Sequence, residues 1–166
     1  MSYSPSFDWL YSGAALLFQA VLVIHFAMRR WRFADAIRHG WIVYALSIPL
    51  AALGVFLLVS EAPWWMWTGG FLFLAWAGFG FIVEYVRHLE WRSPIRWSLF
   101  VPYLTLYLAT VMFYWWPLAR ISGWLWLAAT VLFIAATILN VASHSGGAPK
   151  AAARQRPVAQ APRRSL

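Results

Sequence analysis

The 166-residue sequence has no cysteine. That excludes disulfides, thiolate catalysis, iron–sulfur clusters and cysteine zinc sites. Charge is scarce too: 11% of the residues are charged, where a soluble domain carries about 25%. Acidic residues number 5, and one lysine stands among the 13 cations. No apolar run holds a lysine, so a Schiff-base pigment site is excluded. Metalloprotease and di-metal helix motifs, a glycine-rich phosphate loop and a nucleophile elbow are all missing. What is abundant is apolar: 63% of the chain, with 13 Trp, 12 Phe and 7 Tyr. A soluble domain of this size buries only about 70% of its surface and could not hide them. A disordered chain is excluded by the same composition. The sequence therefore reads as an all-α, polytopic membrane protein.

Five apolar runs fall at residues 9–28, 41–60, 65–84, 99–116 and 121–142. A helix rising 1.5 Å per residue needs about 20 residues to cross about 30 Å of hydrocarbon. Barrel strands would be about ten residues long and alternate in polarity. Residues 1–8 form a short external N-terminus, and residues 145–166 a basic tail too poor in apolar residues to fold alone. Twelve of the thirteen cations lie in the first and third connections and the tail, leaving only Arg120 opposite. The positive-inside rule then places the N-terminus outside and the C-terminus in the cytoplasm, as for a bacterial inner-membrane protein. The basic pI follows from this topology, and nucleic acid is not a partner. Tryptophans cluster at the run boundaries, where indoles favour the headgroup level; Trp76 lies well inside a span.

Shifting the chain by 58 residues places 37–51 on 95–109, with six of fifteen positions identical, Arg38/Arg96 among them. Ser47 then falls on Thr105. Read as duplication, runs one and two and runs three and four are two helical hairpins, with the fifth run an appendage. A parallel repeat would relate them about an axis along the membrane normal. Arg38 and Arg96 would then face a common vestibule suited to an anionic head group. The plain alternative is that both arginines only anchor topology.

Ionisable and polar groups inside a span are expensive and need a reason. Glu84 closes the third run, and its helical face reads back through Gly80, Ala77, Phe73 and Gly70, a face suited to close helix packing. Arg87 and His88 follow at positions able to pair with it. Gln19 lies near the middle of the first run, where an amide needs a partner helix or a cavity. His25, His39, His88 and His144 fall in one cytoplasmic layer with Glu84, Glu90, Asp35 and seven arginines. The candidate ligand-binding residues are Gln19, His25, Arg38, Trp76, Glu84, Arg87, His88 and Arg96. No catalytic or metal-ligating set emerges, and the residues name no cofactor.

Five spans, this length and abundant tryptophan resemble the tryptophan-rich sensory/translocator proteins in architecture. That family's aromatic–proline loop and Trp-Asn pair have no counterpart here, so no site residue is carried over. The expected function is non-enzymatic: binding of a lipid, quinone or isoprenoid, or service as a subunit of a larger membrane complex or homo-oligomer. A small transporter or channel component is the alternative, motivated by the repeat, Gln19 and Glu84. A membrane enzyme acting on anionic head groups is the third, motivated by the His/Glu/Arg layer.

Overall fold

A computed structural model describes residues 5–89 and 94–145, apart from the side chains of residues 144 and 145. Residues Glu90, Trp91 and Arg92, the His144 side chain and residues 146 onward lie outside this description. The described chain is helical, with five helices long and apolar enough to span a membrane. They are α1 (Pro5–Trp31), α2 (Phe33–Val59), α3 (Trp64–Val86), α4 (Trp97–Ile121) and α5 (Gly123–Ser145). The chain is a multi-pass membrane protein.

Between lipid-soaked helices there is no hydrophobic drive, so packing and small residues hold the bundle. α5 lies along α1, α2 along α3, and α3 along α4. The α2–α3 contact rests on two glycines. A Cβ on Gly70 would stand 2.5 Å from the Leu50 carbonyl oxygen, and one on Gly54 would stand 3.1 Å from that of Trp67. Tyr11 of α1 donates to the Phe113 carbonyl of α4. Trp115 Nε1 of α4 donates to Thr130 Oγ1 of α5 at 2.8 Å.

A column of aromatic rings runs through the interior. Tyr11 stacks on Tyr114, Tyr114 meets Phe18 at 5.1 Å, and Phe18 meets Phe73 at 4.8 Å. Phe73 stacks on Trp76 at 5.7 Å, and Trp76 touches Tyr107 and Tyr103 at 5.2 and 5.6 Å. Such pairs contribute about 0.5–1.5 kcal/mol each beyond their area. The column links α1, α3 and α4 and ends at Trp76 and Tyr103.

Three element boundaries differ from the sequence reading. The basic segment before residue 41 is helical: α1 ends at Trp31, Arg32 alone leaves the helical region, and α2 starts at Phe33. Apolar length marks the part of a helix that lies in lipid, and α2 simply continues beyond it. α3 closes in a π turn over Ile82–Val86, with Arg87 N–H bonded to Ile82 O at 2.8 Å. Beyond it, His88 takes φ 48° and Leu89 N–H reaches Val83 O. α4 runs past Trp116 to Ile121, and only Ser122 separates it from α5.

The positions matched between the two sequence halves sit in different surroundings. Val43, Ser47 and Leu50 of α2 are buried, whereas Val101, Thr105 and Leu108 of α4 are exposed. α2 touches α1 chiefly through its first turns, while α3 and α4 pack along their length.

Candidate ligand site at the arginine-rich end

The connections α1–α2 and α3–α4 lie at the same end of the bundle, which carries Arg29, Arg30, Arg32, Arg38, Arg87 and Arg96. A cavity of about 360 Å³ opens there among α1, α2, α3 and α4. α1 contributes Leu22, His25, Phe26 and Arg29, the first two turns of α2 contribute Phe33, Ala36 and Ile37, and Tyr103 comes from α4. Val43 and Tyr44 of α2 and Trp76, Glu84 and Tyr85 of α3 complete the wall. The lining runs from the buried Leu22 and Trp76 to Phe33 and Ile37, which are 54% and 64% exposed. The exposed part of the lining thus includes the apolar Phe33 and Ile37.

Local sequence explains the polar arrangement. Gly80 lets two tyrosines close on α3 from opposite neighbours. A Cβ there would stand 2.9 Å from the Tyr44 ring of α2 and 3.3 Å from that of Tyr103 of α4. One turn further on is Glu84, and Tyr44 Oη donates to its Oε2 at 2.7 Å. The π turn carries Glu84, and such turns are frequent at functional sites. Tyr44 is fixed in turn by Ser47, whose hydroxyl donates to the Tyr44 carbonyl at 2.6 Å. Gly40 brings together the other wall, with the His25 ring and the Tyr85 hydroxyl both 3.7 Å from where its Cβ would be.

The deep end has different chemistry. Trp76 is 4% exposed, and its Nε1–H has no hydrogen-bond partner. Gln19, one turn deeper than Leu22 on α1, is 0% exposed, and neither its amide oxygen nor its nitrogen has a partner. Buried polar groups without partners are rare, and each asks what fills its place.

Of the residues singled out in the sequence, His25, Trp76 and Glu84 meet in the cavity. Gln19 lies just beyond it. Arg38, Arg87, His88 and Arg96 are exposed and do not line it. One hydrogen bond on Glu84 comes from Tyr44 of another helix, forty residues away. Among the described residues no three His, Asp or Glu side chains gather to hold a metal. Sequence reasoning missed Tyr44, Tyr85, Tyr103 and Arg29 as lining residues. No local pattern marks Tyr44, which lies in an apolar run like many other aromatics of the chain.

Comparison with protein-family models, with curated proteins and with solved structures finds no match to the chain.

Proposed function

We propose that the chain is a bacterial inner-membrane protein that binds an amphiphilic molecule in this cavity, with the arginine-rich end in the cytoplasm. The observation that carries the reading is the gradient along the cavity. The lining runs from a buried aromatic and aliphatic floor past Tyr44, Glu84, His25 and Arg29 to the exposed, apolar Phe33 and Ile37. Its volume lies at the lower end of the roughly 300–1,000 Å³ typical of ligand sites. A head group fits among the polar side chains, and a tail leaves over the exposed apolar pair.

Native mass spectrometry tests this. The full chain, extracted in mild detergent, should retain a lipid-soluble adduct at one per chain. Val43 is buried in the wall; Val43→Phe should reduce adduct occupancy while circular dichroism stays unchanged. Equal occupancy in both proteins, or no adduct in either, contradicts the reading.

A small transporter is the second reading. Ser12 and Gln19, two turns apart on α1, are buried without hydrogen-bond partners and continue the face of Leu22 and Phe26 toward the other end. Solute flux in proteoliposomes that Gln19→Leu abolishes would favour it.

A further inference from the structure

We propose that the end of α1 and the first two turns of α2 form an interfacial seat for an anionic phospholipid. The seat does not depend on the cavity. It follows from level, face and charge.

Level comes from helix length. α1 and α2 run 27 residues each, about 40 Å at 1.5 Å per residue, against about 30 Å of hydrocarbon. About seven residues of such a helix stand outside the hydrocarbon. In α2 the apolar run begins at Trp41, so the part outside is Phe33–His39. Trp31 and Trp41 bracket it and are 71% and 53% exposed. Indoles favour the head-group level.

The outward face joins apolar and cationic groups. Phe33 and Ile37, four residues apart, share one face of this short helix, and Ala34 and Arg38 share the next. All four are exposed. Ala36 is buried, Asp35 and His39 are half-buried, and His39 Nδ1 lies 3.0 Å from the Asp35 carbonyl oxygen. The outer side therefore offers two large apolar side chains beside a guanidinium, with the carboxylate and the imidazole set back. Helices that lie in the membrane interface combine groups in this way.

Charge selects the lipid. Residues 29–41 hold four arginines and one carboxylate. That carboxylate, Asp35, is paired with Arg32 at 4.0 Å. Arg30 and Arg38 are exposed and in excess over it. A soluble anion would leave Phe33 and Ile37 unused, and a zwitterionic lipid would bring an ammonium among arginines. An anionic phospholipid uses both sets: its phosphate accepts from the guanidinium forks, and its acyl chains cover the apolar pair. Each arginine near such a surface is worth about fivefold in affinity. Phe33 and Ile37 also border the cavity, but there Arg29 is balanced by Glu84.

The test is lipid selectivity. Purified full-length protein is equilibrated in mild detergent with phosphatidylglycerol or phosphatidylcholine of identical acyl chains, and the lipid retained through gel filtration is counted by mass spectrometry. Phosphatidylglycerol should bind at least about fivefold more tightly. Arg30→Gln with Arg38→Gln should weaken it about five- to twentyfold and leave phosphatidylcholine unchanged. Arg120→Gln, at the opposite end, should change neither. High salt should abolish the preference in the wild type. Equal binding of the two lipids, or a preference that survives high salt or the double substitution, overturns the seat. Glycerol phosphate should not compete; competition at equal concentration would make this a site for free phosphate and overturn the lipid assignment. Val43→Phe, which fills the cavity, should keep the preference. Its loss there would place the anionic lipid in the cavity and overturn the seat, whereas an empty cavity with the preference intact would leave the seat standing. Should the double variant not fold, salt and Val43→Phe still decide.

Discussion

At the residue scale the site depends on Tyr44 and Glu84. Their hydrogen bond joins α2 to α3 beside the cavity, and a bond to a charged acceptor contributes about 1.5–3 kcal/mol. Tyr44→Phe keeps the ring and removes only the donor. Thermal unfolding in detergent should show a loss of about 1–3 kcal/mol, and an unchanged midpoint would mean that the pair is not sequestered from water. Glu61 is the opposite case. It closes α2 at φ 56°, with Glu61 N–H bonded to Leu58 O and Ala62 N–H to Leu57 O. This is the left-handed helix stop that glycine adopts without a steric penalty. Glu61→Gly should therefore stabilise the protein by about 1 kcal/mol, and a lowered midpoint would show that the carboxylate has a role of its own. Trp76 and Glu84 were legible as candidates because each departs from its setting, an indole at mid-span and a charge at a span's end. Tyr44 and Tyr103 were not. Their meaning lies in contacts with Gly80 from two other helices, and no local pattern encodes such a meeting.

At the scale of elements, small residues decide where helices touch. Gly70 sits against the α2 backbone, whereas a Cβ on Gly78 would meet nothing within 4 Å. Gly70→Ala should destabilise by about 1–3 kcal/mol through overpacking. Gly78→Ala should be neutral or slightly stabilising, since alanine is the better helix former. Equal effects would show that the α2–α3 contact is not set by this glycine. The helical spans were legible because continuous apolar length is a direct consequence of the thickness of the hydrocarbon layer. Their ends were less so. Polar residues around 29–40 look like a loop, yet a helix can run on into the headgroup region. The π turn left no sequence mark. The matched halves teach a related lesson: Ser47 and Thr105 align in sequence, but one is buried between helices and the other faces outward. Burial is set by how many neighbours a helix has, which similarity between two segments does not specify.

At the scale of the whole molecule, the proposed topology puts the arginine-rich end in the cytoplasm, on the strength of the arginine bias. A reporter fused after Leu166 should register as cytoplasmic and one at Ser122 as external. The reverse pair would put the cavity on the outer side and remove the cytoplasmic reading with it. The bundle is arranged around its aromatic column, which is packed along α1, α3 and α4, and a cavity opens beside its Trp76–Tyr103 end at the arginine-rich end of the bundle. Exposed Val131, Ile134 and Ile138 on α5 form an apolar surface of the kind that faces lipid acyl chains. The two regions make opposite demands on an amphiphile: capture in one place, passing contact in the other. Photolabelling separates them. A long-chain alcohol carrying a diazirine next to its hydroxyl end, irradiated with the full-length protein in lipid nanodiscs, should label peptides containing Leu22–Arg29, Phe33–Tyr44 and Trp76–Tyr85, and excess of the same alcohol without the diazirine should suppress that labelling. Label spread over α5 at Val131–Ile138, unaffected by competitor, would contradict a binding cavity at this end of the bundle.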